Sequence, residues 1–351
     1  MKAPVVVKLG SSLVAGPGGR VRRSVVRARS REIAALVRDG IPVCVVSSGA
    51  IALGLPRLGL AARPRSLPKL QAASALGQAR LQRVWDEALS RDGLTAAQVL
   101  LTAADFSARA AYLNARNTLA ALFALGVVPV VNENDATATD EITFGDNDAL
   151  AAQVAILVHA RLLVLLTEVE GVYSRAPGLP GAEPIDSGSQ ALAAEVGAGS
   201  ALGKGGMGSK IVAAELAASA GIPTVIAGGA GADVLAPIVA GEPRGTRFSP
   251  DEQAPPAFKL WLRHGKPVAG RLHVDQGARR ALTRGGASLL AVGVVEVEGR
   301  FAAGDAVELV GPDGRPFGKG IADAAAVDID GRPRGVEAVH RDRLVLYDRP
   351  M

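Results

Sequence analysis

The sequence predicts an α/β protein with a three-layer α/β/α sandwich, whose middle layer is a mainly parallel, doubly wound sheet. A small β-rich domain is predicted to follow it. Short apolar runs rich in valine alternate with longer helical patterns through the first 250 residues. Many of the helical stretches stop at a glycine, a common signal for the end of a helix. Beyond residue 250 the pattern changes to short strands separated by Gly and Asp turns.

The predicted strands of the sandwich are continuous apolar runs, which are typical of strands buried on both faces of a parallel sheet. They cover residues 5–7, 43–46, 127–131, 162–166 and 223–226. Helices are predicted at residues 22–38, 70–89, 111–125, 148–159 and 208–220. In the C-terminal part, strands are predicted at residues 289–292, 293–297 and 306–309.

The length of the chain indicates two domains, because 351 residues are about twice the usual domain length of roughly 150. We predict a catalytic domain at residues 1–250, a linker at 251–260 and a second domain at 261–351. The linker prediction rests on the proline-rich stretch 249–256. Hydrophobic residues make up 48% of the chain and charged residues 21%, so a packed core is expected rather than disorder.

Composition also narrows the classes of function. The net charge of +5 is mild and suits small anionic ligands as well as nucleic acid. Aromatic residues make up only 3%, so surfaces that stack on bases are not expected to dominate. The single cysteine, Cys44, excludes an intramolecular disulfide and a multi-cysteine metal site. It lies in the apolar run 41–46, and we interpret it as a buried strand residue rather than a reactive thiol.

No segment resembles a signal peptide or a membrane helix. The apolar run near the N-terminus is too short for a signal peptide. The most apolar stretch, residues 149–166, is interrupted by Gln153, His159 and Arg161. We therefore expect a soluble, cytoplasmic protein that does not act at a membrane.

Polar and glycine-rich segments follow four of the predicted strands, at residues 8–12, 47–50, 132–135 and 167–168. In an open parallel sheet, ligands bind beyond the carboxyl ends of the strands. Because these ends meet at one edge of the sheet, we expect the four segments to line a single crevice.

A glycine-rich segment, Gly-Lys-Gly-Gly-Met-Gly-Ser-Lys at residues 203–210, leads into the last predicted helix of the sandwich and overlaps its first residues. Such a turn offers free N–H groups and the positive end of a helix dipole to a phosphate. The segment is not a dinucleotide fingerprint, because no strand directly precedes it, and its spacing does not fit a P-loop. We interpret it as a different kind of phosphate loop, with a flexible surface loop as the alternative.

Lys8, Lys210 and Asp148 are the candidate catalytic residues. An ammonium group can follow a phosphoryl group as negative charge moves from donor to acceptor oxygen. Lys8 ends an apolar strand, where either an anionic ligand or a structural carboxylate would have to balance its charge. A carboxylate at Asp148 would hold the two lysines in position, whereas helix capping is a sufficient explanation for Asp146.

The motifs together resemble the amino acid kinase family. Those that carry the resemblance are Lys8-Leu-Gly-Ser-Ser12, Val46-Ser-Ser-Gly-Ala-Ile-Ala52, Leu113-Asn-Ala-Arg-Asn-Thr118, Val131-Asn-Glu-Asn-Asp135, Gly145-Asp-Asn-Asp148 and Gly205-Gly-Met207 with Lys210. The stretch from Gly270 to Gly320 is similar to the PUA domain that some members carry at the C-terminus. The resemblance covers nearly the whole chain, and the Asn-Glu-Asn-Asp and Gly-Asp-Asn-Asp segments are its most specific parts.

The resemblance implies the amino acid kinase fold and ATP-dependent phosphorylation of the γ-carboxylate of L-glutamate. It also implies that Mg²⁺ accompanies ATP, and no residue is assigned as a metal ligand. It further implies the first step of proline biosynthesis, inhibition by proline, a homo-oligomer, functional coupling to the next reductase of the pathway and, weakly, RNA binding by the PUA domain. Related kinases acting on N-acetylglutamate, aspartate, carbamate or UMP remain alternatives, as does an RNA-binding regulatory protein.

The resemblance also implies roles for individual residues. Glutamate would be bound by Ser48, Asn132, Asp135 and Asn147. The catalytic groups would be Lys8 and Lys210, with Asp148 organising them. ATP would be contacted by Lys8, Gly10, Thr167, Glu168, Lys204, Gly205, Gly206, Met207, Gly208, Ser209 and Lys210. Glu168 and Lys204 depart from the Asp and Thr that are usual at these positions of the family.

Overall fold

The structure is a computed structural model that describes residues 2–60, 62–138, 147–175, 177–191, 206–250, 259, 262 and 268–347. The chain divides into two compact units, Met1–Ala254 and Pro255–Met351. Apart from Lys259, the predicted linker 251–260 lies outside the described residues. The domain boundaries therefore stay a prediction.

The first unit is built on one seven-stranded sheet. Its strands and a small hairpin are β1 (Val5–Leu9), β2 (Val43–Ser47), β3 (Ala96–Leu101), β4 (Val128–Glu133), β5 (Leu162–Thr167), β6 (Val172–Tyr173), β7 (Pro184–Ile185), β8 (Thr224–Gly228) and β9 (Thr246–Phe248). The sheet order is β3–β4–β2–β1–β5–β8–β9, and β6 pairs only with β7. All neighbours in the large sheet are parallel except β8 and β9.

Helices cover both faces of this sheet. They are α1 (Ser11–Val14), α2 (Arg23–Arg38), α3 (Ala50–Gly54), α4 (Leu67–Ser90), α5 (Ala103–Ser107), α6 (Arg109–Ala124), α7 (Asn147–Leu157), α8 (Met207–Ser219) and α9 (Leu235–Ala240). On one face, α2 and α4 share a core with alternate residues of β1, β2, β4 and β5. On the other face, α7 packs against β1 and β5, and α8 packs against β5 and β8. The predicted three-layer, doubly wound fold is confirmed.

Helices α3 and α4 cross so closely that their backbones touch. A Cβ atom on Gly54 would lie 1.8 Å from the carbonyl oxygen of Ala73, and one on Gly77 would lie 1.8 Å from that of Ala50. No side chain fits at either position, so this crossing requires glycine on both helices.

The second unit is a six-stranded sheet with its own core. Its elements are β10 (Val268–Val274), α10 (Gln276–Gly285), β11 (Leu289–Leu290), β12 (Val294–Gly299), β13 (Ala306–Val310), β14 (Pro316–Ala322), α11 (Ala326–Asp330) and β15 (Glu337–Leu346). The sheet order is β11–β15–β14–β13–β10–β12, and only β10 and β13 are parallel neighbours. The predicted β-rich domain is confirmed. Within the described parts of both units, no helix is long and apolar enough to cross a membrane.

Candidate active site

The polar segments predicted to form a crevice lie at the carboxyl edge of the large sheet. Lys8 is near the end of β1, the central strand, and Ser48 directly follows β2. Asn132 is near the end of β4, and Thr167 is the last residue of β5. Because these strands are parallel, their ends face the same side of the unit.

A buried charge cluster lies at this edge. The Lys8 Nζ atom is 2.5 Å from Asp148 Oδ1, and the Lys210 Nζ atom is 3.0 Å from Asp148 Oδ2. Asp148 is completely buried, and Lys8 and Lys210 are 1% and 8% exposed. One carboxylate at the start of α7 thus holds an ammonium group from β1 and another from α8.

The start of α8 lies one residue before the start predicted at 208. The helix begins at Met207, so the last four residues of the predicted phosphate loop, 207–210, form its first turn. Gly206 marks the break with a φ of +102°, which favours glycine. The first N–H groups of a helix lack partners within the helix and attract anions. Lys204 and Gly205 lie outside the described residues.

Side chains of the first turn of α8 face the cluster. Ser209 Oγ donates to Asp148 Oδ2 at 3.1 Å, and Lys210 Nζ also donates to the Gly206 carbonyl at 3.3 Å. The helix start and the paired lysines therefore form one cationic cluster, which is suited to phosphoryl oxygens.

A cavity of about 300 Å³ includes Asn147, the residue directly before Asp148 of this cluster. It is lined by Ser11, Ser48, Gly49, Ala50, Ile51, Ala52, Leu55, Arg63, Asn132, Glu133, Asp135 and Asn147. All four residues predicted to bind glutamate are therefore brought together. Its volume is at the lower end of the range for small-molecule pockets, which suits a ligand of amino-acid size.

Hydrogen bonds between side-chain amides order one wall of the cavity. Asn147 Nδ2 donates to Ser48 Oγ at 2.8 Å and to Asn132 Oδ1 at 2.7 Å. Asn132 Nδ2 in turn donates to Gln78 Oε1 at 2.7 Å. Both hydrogen bonds that Asn147 Nδ2 can donate are therefore made within the protein.

Asp135 supplies a carboxylate at the same wall. Its Oδ2 accepts a hydrogen bond from Ser74 Oγ at 2.6 Å. Burial raises the pKa of Asp135 above its usual value, while the Ser74 hydrogen bond and the nearby charge of Arg63 act in the opposite direction. A ligand ammonium group at this position would favour the ionised form.

Thr167 and Glu168, two of the residues predicted to contact the nucleotide, lie at the end of β5. Thr167 is half-buried, and its carbonyl accepts from the Gly229 N–H at 2.8 Å. Glu168 is half-exposed and its Oε1 lies 3.3 Å from Arg22 Nη2. Gly10 directly follows β1, which is the neighbour of β5 in the sheet. The structure brings these residues to the sheet edge that also holds Lys8.

Sequence reasoning missed the contribution of α4. Ser74 and Gln78 touch Asp135 and Asn132 from this helix, and Arg63 lines the cavity just before it. The one available signal was a set of polar residues at helical spacing on a helix whose other buried residues are apolar.

Comparison with known proteins agrees with this architecture. The model of the "Amino acid kinase family" matches residues 3–228, and the model of the "PUA domain" matches residues 270–340. Among solved structures, a carbamate kinase from Giardia has a TM-score of 0.52 at 17% identity, over 71% of this chain and 99% of its own. An isopentenyl phosphate kinase has a TM-score of 0.51 at 22% identity, over 70% and 99%. These two likenesses show the fold alone.

Curated relatives are much more similar. The protein named glutamate 5-kinase from Sphingopyxis alaskensis is 47% identical, and that from Burkholderia cenocepacia is 44% identical. The one from Ralstonia nicotianae is also 44% identical. The first two alignments cover 97% of both chains, and the third covers 97% of this chain and 96% of the relative.

The chain belongs to the amino acid kinase family and carries a C-terminal PUA domain. Within that family it groups with the glutamate 5-kinases, as its similarity to them over nearly its whole length establishes. The resemblance predicted from the motifs is confirmed, and so is the class of enzyme, a kinase.

Proposed function

We propose that this enzyme transfers the γ-phosphoryl group of ATP to the γ-carboxylate of L-glutamate. A carboxylate oxygen forms the new bond to phosphorus as the bond to the β–γ bridging oxygen breaks, giving L-glutamyl 5-phosphate and ADP. The observation that carries the proposal is that two subsites adjoin at the start of α7. Asn147 belongs to the cavity, and its neighbour Asp148 belongs to the lysine cluster. The names of the curated relatives support the same substrate.

The residues present match the needs of this reaction. A carboxylate is already ionised at pH 7, so the acceptor needs no general base. Phosphoryl transfer has a loose transition state, and catalysis depends mainly on positioning and on neutralising charge. In the proposal, Lys8, Lys210 and the N-terminus of α8 stabilise the transferring phosphoryl group, while Asp148 fixes both lysines.

The cavity would hold the amino-acid end of glutamate. Asp135 would pair with the α-ammonium group, and Ser48, Asn132 and Asn147 would orient the rest of the molecule. Gly10, Thr167 and Glu168 would contact the nucleotide, together with the segment that includes Lys204 and Gly205.

Magnesium enters the proposal as an ion carried by ATP. The described residues include no cluster of three or more His, Cys, Asp or Glu side chains that could hold a metal. Both oxygens of Asp148 face ammonium groups, so this carboxylate is not a free ligand. Mg²⁺ prefers phosphate oxygens and water, and when bound it would neutralise charge on the transferred phosphate.

Its wider role would be the first step of proline biosynthesis in the cytoplasm, with inhibition by proline. We further propose that it works as a homo-oligomer assembled through the kinase domain, and that the labile acyl phosphate passes to the next reductase of the pathway.

The test is ATP-dependent formation of an acyl phosphate, trapped with hydroxylamine. L-Glutamate, N-acetylglutamate, L-aspartate and carbamate would be compared, each with and without Mg²⁺ and with added proline. A signal with glutamate that needs Mg²⁺ and falls with proline is expected. A larger signal with another acid would assign the chain a different substrate, and no signal from folded protein would overturn the proposal.

A further inference from the structure

Helix α4 carries a polar stripe that faces the cavity wall. Gln71, Ser74 and Gln78 are spaced so that they share one face of the helix. Gln71 Nε2 donates to the Ala138 carbonyl at 3.1 Å, Ser74 Oγ to Asp135 at 2.6 Å, and Gln78 Oε1 accepts from Asn132 at 2.7 Å. Ser74 and Gln78 are 4% and 9% exposed. A buried polar side chain is costly unless it is bonded, so Ser74 and Gln78 constrain the end of β4 and the residues that directly follow it.

The amide hydrogen bonds all run in one direction. Asn147 donates to Asn132, and Asn132 donates to Gln78. This order leaves Asn147 Oδ1 buried and without a donor among the described residues, while Asn147 itself lines the cavity. The polar atom that the series of amides leaves unpaired next to the cavity is therefore an acceptor.

The other end of this series of amides, at Gln78 and Gln82 on α4, has a donor and an acceptor that are unpaired within the described part of the chain. Gln78 Nε2 is a buried donor without a described partner, and Gln82 Oε1, one helical turn further on, is a buried acceptor without one. Glutamine side chains four residues apart on a helix lie close enough to interact. A hydrogen bond from Gln78 to Gln82 would continue the same direction along α4.

We infer that Gln78 is a positioning residue that sets substrate specificity. By accepting from Asn132, it turns the Asn147 oxygen toward the cavity, where that oxygen and Asp135 together recognise a free α-ammonium group. The inference rests on the proposed function and adds to it a residue outside the cavity lining. It explains how the site would prefer an unmodified α-amino acid over a dicarboxylic acid of the same length.

The test compares L-glutamate with glutarate, which lacks the α-ammonium group, in the hydroxylamine assay. Gln78→Met is expected to raise the KM for glutamate by about tenfold and to lower the preference for glutamate over glutarate by a similar factor. The KM for ATP should not change. Gln78→Glu retains an acceptor for Asn132 and should stay within about threefold of the parent in both quantities.

Gln71→Met is the matched control, because Gln71 lies on the same stripe and, among the described residues, donates to a backbone carbonyl rather than to a side chain of the cavity. It should leave the glutamate preference unchanged. If Gln78→Met does not fold by circular dichroism, Gln78→Asn, which is one methylene too short to reach Asn132, replaces it. An unchanged preference in the folded variant, or equal losses in the Met and Glu variants, would overturn the inference. An unmodified enzyme that does not phosphorylate glutamate would instead overturn the proposed function and this inference with it.

Discussion

Replacing Asp148 by asparagine is the most informative single change, because it keeps the shape of the side chain and removes its charge. Two ammonium groups, at 2.5 and 3.0 Å, would lose their shared counter-ion in a buried environment. Removing one partner of a buried ion pair typically costs about 3–5 kcal/mol. Since unfolding temperatures of domains of this size fall by about 2–4 °C per kcal/mol, the expected drop is about 6–20 °C.

Catalysis should fall as well. Without the carboxylate, Lys8 and Lys210 are no longer held at fixed positions, and a loss of about a hundredfold or more in kcat is expected. A non-hydrolysable ATP analogue should raise the unfolding temperature of the variant more than that of the parent, because its phosphates supply the missing negative charge.

The measurements are thermal unfolding, with and without the analogue, and kcat by hydroxamate formation. Asp86→Asn is the matched control, since Asp86 is an exposed carboxylate on α4 and its loss should change neither quantity. If the unfolding temperature of Asp148→Asn stayed within about 2 °C of the parent, with kcat unchanged, the assignment of Asp148 as the shared counter-ion would be refuted.

Two further changes test other parts of the site. Gly77→Ala would place a Cβ atom 1.8 Å from the Ala50 carbonyl oxygen. We therefore expect a loss of about 1–3 kcal/mol in unfolding free energy and a higher KM for glutamate. Gly331→Ala is the control and should be close to neutral, because a Cβ atom there would meet nothing within 4 Å. Asp135→Asn should raise the KM for glutamate strongly and leave that for ATP nearly intact, and an unchanged glutamate KM would contradict its role. Because burial raises the pKa of Asp135, the folded state binds more protons than the unfolded state between the two pKa values, so this group lowers stability as pH rises through that range. The unfolding free energies of the parent and of Asp135→Asn, measured across pH, should show this decrease in stability only in the parent. In the parent, the KM for glutamate should fall as Asp135 ionises.

The central part of the fold follows directly from the sequence. Strands such as β1 and β2 are buried along their whole length, and this produces the continuous apolar runs that predict a parallel sheet. Strand β3 was not predicted, because it lies at the edge of the sheet, is mostly half-buried, and contains two alanines and a glutamine. Strand β3 forms because it pairs with β4, and its own composition indicates a strand only weakly.

The candidate site was predictable where single residues carry its chemistry. Lys8, Asp148 and Lys210 stand out because buried charges require partners. The start of α8 was predicted at residue 208, within one residue of its observed start at Met207. The roles of Ser74 and Gln78 could not be predicted, because they depend on how α4 packs against the end of β4 and the residues after it, a contact between residues 54–61 positions apart.

The contact between Gly54 and Gly77 also constrains how the enzyme can move. With two backbones in van der Waals contact, no layer of side chains separates α3 from α4 to allow one helix to slide over the other. Sliding of α3 over α4 is therefore not expected to change the spacing between Ala50 and Ile51, which line the cavity, and Ser74 and Gln78 on α4. Engineering a larger acceptor pocket would accordingly require changes to loop residues such as Arg63, because the helix pair cannot be moved apart by small steps.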